Sequence, residues 1–281
     1  MIQKMPQIRS KSERIFNIAA YLAVAISVGI WLFPFYLLIL ISLRVDIFSW
    51  PPKLFPTNPD LSGYVTIFSH PAFVEWLMNS FVYTISISLG TVLIAAMTGY
   101  AFSRIDFPRK TQLFWIVLGL MMIPGIVAYI PLYVMLAKLK LLGTYWGIII
   151  PPLASPYSAF LLKQAFDAIP RDYEESAYID GASRFTIIFR VFIPLAKPAL
   201  ITLVLFQFVW NWNNFAWPLF VATSPRLWNL PLGIWNLTWS YTRDFWTLAA
   251  GGVVLMFVPF ILYLIGIEYF LRGIIVTGLK K

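Results

Sequence analysis

The 281-residue sequence has no cysteine and a single histidine, His70. Without cysteine the chain cannot form a disulfide, a thiolate metal site, an iron–sulfur cluster or a cysteine nucleophile. A lone histidine beside a proline in a loop lacks the partners that a histidine metal site needs. We therefore expect no metal site, and we interpret His70 as an ordinary loop residue.

Charged residues are also scarce. They make up 12% of the chain, whereas 60% of the residues are hydrophobic; a soluble domain carries about 25% charged residues. Too few polar side chains remain to cover a surface that faces water, so much of the surface must face lipid. The net charge of +9 suggests nucleic acid in a soluble protein, but in a membrane protein it is typical of basic cytoplasmic loops.

Apolar segments long enough to cross a bilayer occur along the whole chain. About 20 residues at 1.5 Å per residue span the hydrocarbon core. The first apolar segment is too long for the core of a signal peptide, so we expect it to be retained as a helix. The sequence predicts an all-α membrane protein with six transmembrane helices, at about residues 15–43, 79–102, 113–137, 145–166, 199–222 and 248–271.

The basic residues predict the orientation. With both termini in the cytoplasm, fifteen Lys and Arg side chains lie inside and six lie outside. This bias follows the positive-inside rule, and it accounts for the basic balance without any nucleic acid. The expected organisation is a cytoplasmic tail at 1–14, one transmembrane permease domain at 15–271 and a second cytoplasmic tail at 272–281.

An external segment after the fifth predicted helix is rich in tryptophan, with Trp228, Trp235, Trp239 and Trp246. Tryptophan collects at membrane interfaces. It is also typical of residues that dominate protein–protein binding. The sequence leaves both interpretations open.

The cytoplasmic loop at 169–198, between the fourth and fifth predicted helices, has a patterned sequence. Asp172 and Glu175 have the spacing of a capping box, and Gly181 is placed to end a helix. Ser183 can cap a second short helix, which Pro194 is expected to stop. Two short amphipathic helices can dock in a groove of a partner protein or lie on the membrane. The acidic residues favour a protein partner because anionic lipid would repel them.

This loop resembles the EAA motif of permease subunits in ATP-binding-cassette (ABC) importers. The motif is Glu-Ala-Ala, three residues, Gly, nine residues and Ile-x-Leu-Pro. Here it reads Glu175-Ser176-Ala177, then Gly181, then Val191-Phe192-Ile193-Pro194. Further stretches look like carbohydrate-importer permeases, and especially like the second permease of maltose-type and glycerol-phosphate-type systems: 180–183, 210–214, 217–219, 230–233 and 272–280.

The resemblance implies a type I importer permease in a bacterial or archaeal cytoplasmic membrane. Its implied partners are a second permease, two cytoplasmic ATPase subunits and an extracytoplasmic solute-binding protein, together with membrane lipid. ATP and Mg would be bound by the ATPases, and this chain, which has no phosphate-loop motif, would bind no cofactor and have no catalytic residue. The residues implied in ATPase coupling are Asp172, Glu174, Glu175, Ser176, Ala177, Asp180, Gly181, Ala182 and Pro194.

Four polar or aromatic residues of the fifth predicted helix form a candidate solute pathway: Gln207, Trp210, Asn211 and Asn214. Their spacing places them on one helix face. Amides and tryptophan suit a sugar, which offers both hydroxyl groups and a C–H face. The alternative is that these amides hydrogen-bond to neighbouring helices.

The expected function is therefore import of a sugar or sugar-like solute, such as an oligosaccharide, a polyol or a glycerol phosphate. One alternative is an importer permease for a non-sugar solute. An ion-coupled secondary transporter is disfavoured because the predicted helices carry no ionisable residue near their centres. An enzyme is disfavoured because the sequence shows no catalytic cluster inside the membrane.

Overall fold

The computed structural model describes residues 11–47, 49, 51–56, 58–239 and 244–278. Within these ranges the chain forms helices, turns and loops without any strand, which confirms the all-α prediction. Most of the predicted N-terminal tail lies outside the described residues. So do five of the basic residues used to predict the orientation: Lys4, Arg9, Arg243, Lys280 and Lys281.

The helices differ in length from a few residues to the width of a membrane. In chain order they are α1 (Lys11–Ser42), α2 (Ser62–Phe68), α3 (Phe73–Arg104), α4 (Lys110–Leu120), α5 (Tyr129–Lys138), α6 (Tyr145–Ile149), α7 (Pro156–Asp167), α8 (Asp172–Ile179), α9 (Arg184–Ile187), α10 (Ile193–Leu195), α11 (Lys197–Trp212), α12 (Ala216–Val221), α13 (Leu230–Leu237) and α14 (Phe245–Gly278). Short 3-10 helices lie at Gly125–Ala128, Pro151–Leu153 and Pro225–Leu227, and a π-helix at Ile188–Phe192 joins α9 to α10.

Three stretches are long and apolar enough to cross a membrane as single helices: Ile15–Ser42, Phe73–Arg104 and Phe245–Gly266. Two bent pairs reach the same length together. One pair joins Lys110–Leu120 to Gly125–Lys138 with a bend of 98°, and the other joins Arg184–Leu195 to Lys197–Trp212 with a bend of 85°. By length and composition the described residues thus contain three to five candidate spans.

Proline explains where the predicted helices are interrupted. In the fourth predicted helix, Pro151 and Pro152 form a 3-10 turn and Pro156 begins α7, because proline has no N–H to donate to the preceding turn. In the third, the chain bends before Pro124, which disfavours helical geometry at the residue before it. The fifth predicted helix ends at Trp212, and the last one continues to Gly278, beyond the predicted start of the tail at 272.

The chain divides into two compact units, and the smaller contains residues 1–66 and 244–253. Within it the Arg44 side chain forms ion pairs with Asp60, at 3.3 Å, and with Asp244. Asp244 also accepts hydrogen bonds at the start of α14 from the backbone N–H of Trp246 and the hydroxyl of Thr247. One guanidinium therefore joins the chain after α1 to the beginning of α14.

The larger unit, residues 67–243 and 254–281, is built around α3. Its most extensive packing is against α7 and α11. The α3 face that is buried carries small residues at three- or four-residue spacing: Ser80, Thr84, Ser88, Thr91, Ala95 and Gly99. Small side chains let membrane helices approach closely, where van der Waals contact and hydrogen bonds replace the hydrophobic effect.

Helix α3 approaches the backbone of α7 closely at Gly99. A methyl group at this position would lie 2.9 Å from the backbone nitrogen of Lys163 and 3.0 Å from the carbonyl carbon of Leu162. Backbone atoms cannot move aside as the end of a side chain can. The two helices therefore require glycine here.

We expect Gly99→Ala to destabilise the protein by about 1–3 kcal/mol, the usual cost of overpacking. The measurement is the thermal denaturation midpoint of the detergent-solubilised protein. Gly119→Ala is the matched control, since no atom lies within 4 Å of a methyl group there and alanine favours a helix over glycine by about 1 kcal/mol. Equal midpoints for the two variants would contradict this account of the packing.

Candidate functional site

The segment between α7 and α11 forms two short helices that meet at Gly181. Gly181 has φ of +77°, a left-handed conformation that glycine adopts without steric cost. The N–H of Ala182 donates to the carbonyl of Ala177 at 2.9 Å, and the N–H of Gly181 donates to the carbonyl of Tyr178 at 3.0 Å. This pair of hydrogen bonds is a Schellman motif, which ends α8 and redirects the chain.

The structure confirms the predicted cap of the second short helix and corrects two other predictions. Ser183 accepts a hydrogen bond from the N–H of Thr186. The predicted capping box is wrong, because Arg171 occupies the N-cap position, and Asp172 and Glu175 both lie in the first turn of α8. Pro194 does not stop the second helix: α10 continues to Leu195 and the break follows at Ala196. The π-helix that ends at Phe192 changes the backbone hydrogen-bond pattern just before Pro194, which has no N–H to donate.

The inner face of this loop is part of a continuous apolar core. Ile187, Ile188 and Phe192 are buried against residues of three long helices: Ala95, Ala96 and Tyr100 of α3, Leu162 and Phe166 of α7, and Leu200 and Leu203 of α11. The ring of Phe192 makes edge contacts with those of Tyr100 and Phe166, at centroid distances of 5.1 and 5.3 Å. A displacement of the loop must therefore disturb its packing against α3, α7 and α11.

The outer face of the loop exposes apolar side chains. Ile179 is 86% exposed and Phe185 is 66% exposed. Of the residues implied in coupling, Ala177 and Ala182 pack partly against the core, whereas the following are exposed: Asp172, Glu175, Ser176, Asp180, Gly181 and Pro194. We call the surface formed by Ile179 and Phe185 the docking face.

Glu174 differs from the other acidic residues because its side chain lies against α3. Its carboxylate accepts a hydrogen bond from the Tyr100 hydroxyl at 2.5 Å and lies 3.8 Å from Nε of Arg104. The side chains of Glu174 and Arg104 are only 12% and 5% exposed. This geometry holds α8 to α3 and leaves Glu174 less available to a partner than Glu175.

Arg104 connects several elements at one point. Its guanidinium donates to the carbonyl of Phe166, at 2.7 Å, and to the carbonyl of Ile169. It also lies 5.0 Å from the centre of the Phe192 ring. From the sequence alone, Arg104 is only a positive charge near the cytoplasm. No local sequence motif could reveal the contact between Arg104 and Glu174, because seventy residues separate the two positions.

The four candidate pathway residues occupy different surroundings. The Gln207 amide donates to the Ser158 hydroxyl of α7 at 2.8 Å, and buried Asn211 donates to the carbonyl of Gln207. Asn214 accepts from the N–H of Trp217. Trp210 is 77% exposed. The alternative, in which an amide hydrogen-bonds to a neighbouring helix, therefore holds for Gln207. The side chain of Trp210, in contrast, is accessible to another molecule.

Comparison with known proteins agrees with this architecture. Residues 91–276 match the family described as "Binding-protein-dependent transport system inner membrane component". The chain is 32% identical to the arabinooligosaccharides transport system permease protein AraQ of Bacillus subtilis, over 95% of this chain and 96% of the relative. It is 28% identical to the sn-glycerol-3-phosphate transport system permease protein UgpE of Salmonella typhi, over 94% and 98%.

A solved structure has the same fold. It is described as a bacterial ABC transporter involved in the import of the acidic polysaccharide alginate, and it superimposes with a TM-score of 0.74 at 22% identity. The match covers 94% of this chain and 99% of the other. With a family match over most of the chain and full-length relatives, this protein belongs to the inner membrane components of binding-protein-dependent transport systems, and it is a permease subunit of an ABC importer rather than an enzyme.

Proposed function

We propose that this chain is one of two permeases in an ATP-driven importer of sugar or sugar-like solutes, and that the docking face seats on an ATPase subunit. The two faces of the loop at 169–198 support this function. Its outer side exposes Ile179 and Phe185, while its inner side belongs to the core of α3, α7 and α11. Such a loop can both bind a partner and move the membrane helices.

The proposed assembly contains a second permease, two cytoplasmic ATPases that bind ATP and Mg, and an external solute-binding protein. In this assembly the chain crosses the membrane six times with both termini in the cytoplasm. Closure of the ATPases on ATP moves the loop, and the loop moves α7 and α11, with which it is continuous. Glu175 and the neighbouring exposed acidic residues provide polar contacts around the apolar docking face.

The solute class is supported by two kinds of observation. The relatives named above are a permease for arabinooligosaccharides and a permease for sn-glycerol-3-phosphate. The chain also carries Trp210 near the end of α11 and Asn214 two residues beyond that end, and aromatic rings and amides suit a polyhydroxylated solute. In the assembly Trp210 faces the pathway, and exposed Trp239 contributes to the surface that meets the binding protein.

The direct test is purification of this chain from its native membrane, with identification of every subunit that co-purifies. Recovery of an ATPase, a second permease and a sugar-type binding protein is the expected result. The ligand of that binding protein then identifies the solute. Recovery of the chain alone, with transport that continues without ATP, is the result that would reject the proposal in favour of a secondary transporter.

Gly181→Val should weaken ATPase assembly and abolish uptake while leaving the membrane domain folded. A β-branched residue at φ of +77° is strained by about 1–2 kcal/mol or more, and the turn between α8 and α9 must then change. Nothing lies within 4 Å of the added side-chain position, so the core is not disturbed. Co-purified ATPase and ATP-dependent uptake in vesicles are the measurements.

Gly119→Val is the control for that experiment, because Gly119 is also unobstructed but lies in α4 with an ordinary helical conformation. It should retain ATPase and uptake. Wild-type assembly and uptake in Gly181→Val would remove the basis for the docking assignment.

Trp210→Ala should raise the KM for uptake by about two- to tenfold, the loss expected for one aromatic contact, without lowering thermal stability. The control is Trp115→Ala, which removes a similarly exposed tryptophan (66%) from α4. Initial uptake rates in vesicles, with the solute of the co-purified binding protein, give KM. An unchanged KM in Trp210→Ala would place this residue outside the pathway.

A further inference from the structure

Helix α3 is bound at its two ends by different sets of polar side chains. At one end Tyr100 and Arg104 hold α8, as described above. At the other end Asn79, Ser80 and Tyr83 face the segment 226–230, which connects α12 to α13. Each set therefore joins α3 to a segment that is distant from it in sequence.

The contacts at the second end are mostly to backbone groups. The Asn79 amide donates to the carbonyls of Arg226 and Trp228, at 2.8 and 2.9 Å. The Tyr83 hydroxyl donates to the carbonyl of Leu227 at 2.9 Å, and Ser80 accepts from the N–H of Leu230 at 2.7 Å. Four of the five positions 226–230, all except 229, are thus held by about one turn of α3.

Asn79 is itself held in place. It is 3% exposed, and its carbonyl oxygen accepts a hydrogen bond from the Tyr145 hydroxyl at 2.7 Å. All three hydrogen bonds leave its own helix. The hydrogen bonds of Asn79 therefore hold the segment 226–230 against α3. Loss of any one partner would leave a buried polar group unsatisfied.

Between these two ends α3 is one unbroken helix. Of the three single-helix candidate spans, α1 and α14 contain Pro34 and Pro259, whereas the described α3 sequence has no proline. At 1.5 Å per residue, Asn79 and Arg104 are about 38 Å apart along its axis. A continuous hydrogen-bonded helix is a stiff connection over this distance, whereas prolines and bends are where helices yield.

We propose that α3 transmits movement of the cytoplasmic loop at 169–198 to the segment 226–230, with Arg104 and Asn79 as the positioning residues at its two ends. This inference rests on the proposed function, which places the loop at the ATPases and the segment on the external side. ATPase closure then changes the external surface through α3. By reciprocity, a binding protein that contacts this surface favours closure of the ATPases.

The test uses the absence of cysteine from the chain. Arg226→Cys introduces one thiol at an exposed position and keeps the backbone carbonyl that Asn79 binds. The purified importer complex, made with cysteine-free partner subunits and reconstituted in nanodiscs, is labelled with a polar maleimide, with and without ATP plus vanadate. The expected result is a labelling rate that changes by about fivefold or more on closure, the lower end of usual coupling between sites.

Adding Arg104→Lys or Asn79→Ala to the reporter chain should reduce that change to less than about twofold, while ATPase subunits still co-purify and hydrolyse ATP. Thr98→Val is the control on the same helix, because its hydroxyl bonds only to the carbonyl of Ile94 within α3; it should keep the full response. If Arg104→Lys fails to assemble, Tyr100→Phe removes one hydroxyl at the same end and keeps the ring.

Two results would overturn the inference. One is an Arg226→Cys reporter that does not respond to closure although the ATPases are bound and active. The other is a full response in both Asn79→Ala and the variant at the Arg104 end. Failure of the proposed function is a different outcome, because then no ATPase co-purifies with the chain at all.

Discussion

The attachment of the cytoplasmic loop to α3 and α7 depends on the buried guanidinium of Arg104. It satisfies carbonyls at the end of α7 and just after it, pairs with Glu174 of α8 and lies over the ring of Phe192. Removing one partner from a buried ion pair costs about 3–5 kcal/mol, because the other charge stays buried. The loop that a partner can bind is therefore fixed to the membrane helices at a defined point.

The apolar surroundings explain why polar contacts have this importance. Where neither water nor a hydrophobic driving force is present, helices are held by close packing and by hydrogen bonds that the protein itself supplies. In α3 a face of small residues provides the packing, with Gly99 against the backbone of α7, and Asn79 and Arg104 provide the polar contacts. Helices interrupted by proline, such as the bent pair α4 and α5, offer less continuous connections.

Patterns within one segment could be predicted from the sequence, and contacts between distant segments could not. The apolar composition predicted an all-α membrane protein, and Gly181 and Ser183 predicted the turn and cap of the loop. The capping box at Asp172 was wrong because spacing alone does not fix which residue precedes the first turn. Arg104 and Asn79 were missed because their partners lie far away in the sequence and are partly backbone carbonyls, which carry no sequence signal.

Contact between the docking face and an ATPase subunit can be detected by cross-linking. Ile179→Cys places the chain's single thiol at the most exposed point of that face, and a photoactivatable maleimide there reports which subunit it touches in the native complex. The expected product contains this chain and the ATPase, and no such product forms from Trp239→Cys, an exposed position just after α13. A product with lipid alone from Ile179→Cys, in a complex that retains its ATPases, would contradict the account.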